Sequence, residues 1–468
     1  MKERDDVIVI GAGLSGLAAA TTLADEGFAT VTVLEAGPQV GGRTRTGSVG
    51  DTAIDEGATL IYPQHRHVRE LAERFGIELF ESGTKGRFQY LLDGHARSFS
   101  FGRMGNMRLL MHPLVRGVLT VISRWLPSPI PATDMGDLLR AIRELDVLAR
   151  SVPLERPWSA PQAHQLDQRT VESWVDEMVR PGPARNFLES LFGYFQPTTS
   201  LLFVLHVFNT WGGIGSLLTN QTGVLRFAHG AQSLSLRLAA GLGDRVILDS
   251  PVDAIDQSAQ RVRVHACGNV YEADRVIVAV SPAGYRGIEF RPALPPQRTR
   301  LLDAWQPVHG RKVNVVYDQP FWRAAGLSGS ALTDRDCAPG VLDASPPDGS
   351  AGVLACYATD DAAVAHDPAS RKVAVLATFA DLFGPKALNP LHYSEKRWVD
   401  EPYHFGCEGG LSVGALTSAR SLPKAPVGRL HWAGVETADE WIGFMDGAVQ
   451  AGQRAAREVI GAPRSRQS

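Results

Sequence analysis

Short unbroken apolar runs alternate along the chain with stretches whose apolar residues recur at helical spacing. Val7–Ile10 is continuously apolar, as expected of a parallel strand covered on both faces. Leu14 to Ala24 has helical spacing, Asp25-Glu26-Gly27 stops it, and Val31–Leu34 is a second buried run. Together they predict a strand–helix–strand unit. Residues 83–230 are dominated by helical patterns: Met135–Arg150, Thr170–Val179, Ala184–Tyr194 and Leu201–Trp211. Strand-like runs return at Arg245–Leu248, Arg261–His265 and Arg275–Val280, then at Lys312–Tyr317 and Val353–Ala358. Leu430–Ala433 reads as a further strand, followed by a helix from about Gly447. Pro-rich stretches at Pro292–Pro296 and Ser345–Gly349 read as loops, and no fixed repeat period appears.

Composition narrows the class. With 468 residues, 44% of them hydrophobic, the chain is expected to form two or three domains. A net charge of -3 without long charge runs gives no electrostatic case for nucleic acid. Four cysteines, at 267, 337, 356 and 407, form no CxxC pair. That excludes a zinc ribbon or a dense disulfide framework and points to a reducing, cytoplasmic setting. The absence of an HxxxH, HxxE or DxD cluster argues against a metal. Met1 to Asp6 leads directly into a strand, leaving no room for a signal peptide. No membrane span is expected. Leu109–Leu126, interrupted by Pro113, Arg116 and Arg124, reads as an amphipathic helix on the core, with peripheral membrane contact as the alternative.

The first chemical signal is Gly11-Ala12-Gly13-Leu14-Ser15-Gly16, a G-x-G-x-x-G between strand and helix. Gly11 permits the tight turn, Gly13 lets a diphosphate approach the backbone, and Gly16 allows close helix–strand packing. A glycine-rich turn occurs in many α/β proteins, but Glu35 ends the second strand where a carboxylate holds a ribose diol. An acidic group there repels the additional phosphate of NADP. Gly41-Gly42-Arg43 and Asp55-Glu56-Gly57-Ala58 fit a continued wrap around a diphosphate or flavin.

At this point the sequence resembles the flavin-containing amine oxidases. The resemblance rests on Val7–Gly16, Glu35, Gly42 and Arg43, then on Trp432-Ala433-Gly434-Val435-Glu436-Thr437-Ala438, Gly443 to Val449, Gly452 and Arg454-Ala455-Ala456. It implies an α/β fold in which a Rossmann-like FAD-binding domain is interleaved with an α+β substrate domain and a helical subdomain. FAD-binding segments would be 1–82, 231–285 and 401–468, with 83–230 and 286–400 forming the substrate side. Gly434 and Glu436 would lie beside the FAD phosphate and ribitol, and Met445 would start a helix whose N-terminus faces the flavin. Val252 would bring backbone to the adenine. Lys312 would hold a water beside flavin N5; a lysine snorkelling to solvent is the bland account.

Trp398 and Cys407 also fall at the family's spacing, and the resemblance implies for Cys407 either a free thiol near the flavin ring or covalent attachment of the flavin. Where monoamine oxidases place two aromatic rings about the amine path, Phe444 matches one and Glu408 replaces the other. Glu408 is read either as a partner for a cationic substrate or as a solvated loop carboxylate. His206, His229 and His404 lack spaced partners and read as structural; Arg87 is a carboxylate clamp or simply exposed. The expected activity is oxidation of an amine or amino acid by FAD and O2, yielding H2O2, in a monomer or homodimer. A C–C desaturase and a flavin-binding scaffold are the alternatives.

Overall fold

The computed structural model describes residues 5–82, 85–92, 94–99, 132–193, 195–214, 223–258, 260–359, 367–406, 409–420 and 424–462. Its organising element is a parallel sheet of β1 (Val7–Ile10), β2 (Val31–Leu34), β3 (Val246–Ile247), β4 (Arg275–Val278) and β5 (Leu430–Trp432), in spatial order β5-β4-β1-β2-β3. Alternate residues of β1 face opposite layers. Val7 and Val9 pack with helix α1 (Leu14–Asp25) and helix α2 (Met445–Gly461), while Ile8 and Ile10 join Ile255, Val264 and Trp432. The second layer is a four-stranded sheet of Val252–Asp256, Val262–Ala266, Asn269–Ala273 and Glu289–Arg291. Coverage on both faces accounts for the unbroken apolar strands, and the chain adopts the α/β class expected.

Helix α2 approaches the backbone of α1 closely at Gly452, as α1 does that of the preceding turn at Gly16. A Cβ on Gly16 would strike the Gly11 carbonyl oxygen, and one on Gly452 would strike that of Ser15. The small residues bring the C-terminal helix against the strand–turn–helix unit, which is why both chain ends build one domain.

A seven-stranded sheet forms the other half, in the order His392–Arg397, Gly310–Tyr317, Gly352–Thr359, Gly340–Asp343, Leu327–Thr333, Arg87–Leu92 and His95–Phe99. Helix Pro368–Phe383 covers it through Val375 and Phe379. The helices Ala132–Arg150, Val171–Met178, Pro183–Leu191 and Leu201–Thr210 surround Trp174 and Leu205 in a third core, which also takes in Trp441 and Ile442. The helical periodicity of 83–230 does not announce the strands at Arg87–Leu92 and His95–Phe99. The amphipathic stretch Leu109–Leu126 lies outside the described residues. Among the described residues no helix is long and apolar enough to cross a membrane.

Candidate active site

The site begins where β1 ends, in the crevice between its neighbours β2 and β4, the position at which open parallel sheets bind ligands. Gly11 turns with φ +96°, donating its N–H to Leu34 O at 2.7 Å, and Ala279 N–H returns to Ile10 O. Helix α1 starts at Gly13 with no side-chain cap and no acidic residue in its first turn. Its end N–H groups and macrodipole are therefore offered to an external anion. A Cβ on Gly13 would meet nothing within 4 Å, so open ground lies in front of the helix.

Glu35 closes one side. Its carboxylate accepts from Ala12 N–H at 2.6 Å and Gly37 N–H at 2.9 Å; burial pushes its pKa upward against those bonds. Ser250 N–H donates to Glu35 O at 2.8 Å, which sets the segment leading into Val252 beside the same corner. On the other side Gly42 comes close to Gly13, a Cβ there lying 3.4 Å from Gly13 Cα. Arg43 Nη2 donates to Glu436 Oε1 at 2.9 Å. Glu436 is 3% exposed, and its second oxygen, 3.0 Å from where a Gly434 Cβ would stand, has no hydrogen-bond partner among the described residues.

The inner wall joins two halves of the chain. Lys312, 7% exposed, donates from Nζ to Thr59 Oγ1 at 2.8 Å and Gly57 O at 3.1 Å. Buried Asp55 lies close enough to interact electrostatically with it. Burial raises the Asp55 pKa, while Ala231 N–H and the charges of Lys312 and Arg226 oppose the rise. Trp398 donates Nε1–H to Glu56 O at 2.9 Å and packs where a Gly57 Cβ would sit. Ala58 N–H bonds Arg43 O, so the Arg43 turn, Gly57, Trp398 and Lys312 form one continuous surface.

Phe444, the residue before α2, enters an edge-to-face cluster with Tyr62, His65, Trp211 and Trp441 at centroid separations of 4.4–6.3 Å. His65 is fully buried, neither ring nitrogen has a hydrogen-bond partner among the described residues, and burial drives its pKa down to about 3. It is a neutral ring among aromatic ones. Met445 is buried beneath Phe444 at the start of α2.

The fold thus brings Gly11, Gly13, Gly16, Glu35, Gly42, Arg43, Gly434, Glu436 and Met445 around the sheet's carboxyl edge, with Lys312 and Trp398 on the inner wall. Cys407 and Glu408 lie outside the described residues. Arg87 is exposed on its strand and donates to Ala325 O at 3.1 Å. His206 is buried in the helical core, with no hydrogen-bond partner among the described residues. Thr59 and the aromatic group Tyr62, His65 and Trp211 carry no local signal in the sequence. Asp55 does, as the first residue of the Asp55-Glu56-Gly57-Ala58 run.

These residues suit a flavin dinucleotide. Uncapped helix N–H groups and open space at Gly13 fit a diphosphate, Glu35 fits a ribose diol, and the orphaned, buried Glu436 oxygen requires a donor that a sugar-alcohol chain provides. Among the described residues no group of His, Cys, Asp and Glu is placed to hold a metal.

Comparison with known proteins agrees with this geometry. Residues 14–460 match the family described as flavin containing amine oxidoreductase. Flavin-containing amine oxidase B of Sus scrofa is 34% identical over 478 residues, covering 98% of this chain and 87% of that protein. Among solved structures, cyclohexylamine oxidase from Brevibacterium oxydans IH-35A superposes with a TM-score of 0.87 at 30% identity, covering 97% of this chain and 98% of that one. Wild-type putrescine oxidase bound to putrescine gives 0.87 at 28% identity, covering 98% and 99%.

Proposed function

The chain belongs to the flavin containing amine oxidoreductase family, and from that premise we propose that it is an FAD-dependent oxidase acting on an apolar primary monoamine. Bound FAD would supply the redox chemistry, namely hydride acceptance from the carbon bearing the neutral amine and reoxidation by O2 to give H2O2, so that the amine would become an imine and, by hydrolysis, a carbonyl. The protein holds, orients and shields. The α1 N-terminus and Arg43 neutralise the diphosphate, Glu35 takes the ribose, and Glu436 takes a hydroxyl of the ribitol. Val252 supports the adenine end, and Gly434 with Met445 carries backbone to the flavin side.

Lys312 is anchored by Thr59 and Gly57 rather than turned to solvent. Its ammonium places positive charge and a proton donor on the inner wall, where a water or the reduced oxygen product is handled. Trp398 stiffens that wall. Cys407 is proposed to lie beside the flavin ring, as a free thiol or as a point of covalent attachment, and Glu408 to be a solvated loop carboxylate. Acid precipitation separates these cases: yellow colour in the pellet supports the Cys407 bond.

The substrate class rests on one observation, the cluster of Phe444, Tyr62, Trp211, Trp441 and neutral His65. No member of it carries charge, so it favours an apolar substituent over the second ammonium of a diamine. In anaerobic stopped-flow, a cyclic or benzylic monoamine at subsaturating concentration should bleach the flavin at least about 10-fold faster than putrescine at the same concentration. Faster bleaching by putrescine would shift the reading to diamines; bleaching by no amine would remove it. The C–C desaturase receives no support from relatives that are named amine oxidases. The free thiols Cys267, Cys337 and Cys356 support a cytoplasmic location. Light scattering of the holoprotein separates monomer from homodimer.

A further inference from the structure

His404 is the inward-turned member of an unusual loop. Tyr403 and Phe405 hold left-handed backbones, φ +67° and +58°, and Gly406 follows at +123°. Non-glycine residues with positive φ are strained and persist where the surroundings enforce them. The alternation throws Tyr403 and Phe405 outward, 49% and 41% exposed, and folds His404 back against Trp398 with ring centroids 5.0 Å apart. Gly406 N–H bonds Trp398 O at 3.3 Å, fastening the turn.

The ring's tautomer follows from its one bond. His404 Nδ1 lies 2.9 Å from Pro402 O, and a carbonyl only accepts, so Nδ1 carries the proton. Burial and the neighbouring Arg43 charge keep the ring neutral, opposed by Glu401 and Pro402 and assisted by Lys396. Nε2 is thus a lone-pair acceptor. It points to Gly42, 3.9 Å from where a Cβ would stand, and Gly42 in turn abuts Gly13. No described residue bonds it.

We propose that His404 is a ligand of the bound FAD, its Nε2 accepting a hydrogen bond from a hydroxyl of the ribityl chain where the two glycine turns meet. The choice of partner is chemical. A diphosphate has no proton to give at neutral pH, and the ribose on the far side is taken by Glu35. The hydroxyls that remain belong to the ribityl chain. This assignment rests on the FAD reading and adds a residue to it.

Two substitutions separate contact from packing. His404→Asn keeps a donor for Pro402 O and removes the atom facing Gly42; His404→Gln places an amide oxygen near the Nε2 position. Both are made in a Cys407→Ala background, so that no covalent tie masks release. FAD dissociation is followed by recovery of flavin fluorescence, with the melting temperature of the FAD-free protein as the fold control. H404N should release FAD about 10-fold faster, the equivalent of one hydrogen bond, and H404Q within about 3-fold of the parent. Equal release by all three proteins, or equal acceleration in both variants, overturns the contact. A colourless parent protein would instead overturn FAD itself. Should H404N fail to fold, diethyl pyrocarbonate acylation of His404 in the parent decides, read by peptide mass. Protection by FAD supports the contact, and equal labelling with and without FAD refutes it.

Discussion

At the scale of single residues, the site depends on buried groups whose partners come from elsewhere in the chain. Lys312 is expected to matter for chemistry more than for binding, because its two anchors are protein atoms. Lys312→Met should slow flavin reduction or reoxidation on the order of 10²-fold in stopped-flow while the FAD content of the purified protein is unchanged. An unchanged rate would remove it from the reaction. Glu35 is the converse case. Glu35→Ala strips the Ala12 and Gly37 N–H groups of their acceptor and removes the ribose ligand, so FAD affinity should fall by about 10- to 100-fold, measured by equilibrium dialysis. The role of Glu35 was legible in the sequence because turn, strand and carboxylate lie within one strand–helix–strand unit. Thr59 was not, since a threonine gains meaning only when Lys312 arrives beside it.

At the scale of elements, two glycines of the same construction do different work. Gly13 faces open space, whereas Gly452 faces the Ser15 carbonyl across the α1–α2 crossing. Gly13→Ala should leave the FAD-free melting temperature almost unchanged and weaken FAD retention sharply. Gly452→Ala should destabilise the protein by about 3 kcal/mol or more through overpacking against backbone, seen in urea unfolding with or without FAD. Equal effects of the two would contradict this division. Elements themselves were legible unevenly. The strands of the parallel sheet declared themselves by unbroken apolar runs. Helix Pro368–Phe383 carried a readable start, Asp367 capping Ser370 N–H at 2.8 Å with Pro368 in the first turn, a signal that periodicity alone passes over. The strands at Arg87–Leu92 and His95–Phe99 were hidden inside a helical stretch, because what makes them strands is pairing with the distant sheet.

At the scale of the whole molecule, two buried histidines link stability to pH. Burial lowers the pKa of His65 to about 3 and that of His206 to about 4, against about 6.5 in the unfolded chain. Above pH 6.5 both states are neutral and contribute no pH dependence. Below it the unfolded chain binds protons that the folded one refuses, so stability falls as pH falls, until the folded-state values are reached. Each imidazole contributes a slope of up to about 1.4 kcal/mol per pH unit in that window. His206→Leu, an apolar replacement in an apolar core, should flatten the decline of the urea midpoint between pH 6 and 4.5. An unaltered slope would show that His206 is protonated within the fold.

What the sequence determined by itself was local: the Gly11 turn, the strands flanking it, the acidic residue after β2 and hence a dinucleotide, with the family's motifs narrowing it to FAD. Those features depend on backbone angles and hydrogen bonds between near neighbours, which near neighbours dictate. The tertiary structure decided the pairings: Arg43 with Glu436 across 393 positions, Lys312 with Thr59 across 253, Trp398 with Glu56 across 342. It also gathered Tyr62, His65, Trp211, Trp441 and Phe444 into one aromatic wall and turned His404 towards Gly42. Such contacts depend on how separate cores dock, because a buried polar or aromatic group takes whatever partner the packed chain brings within reach.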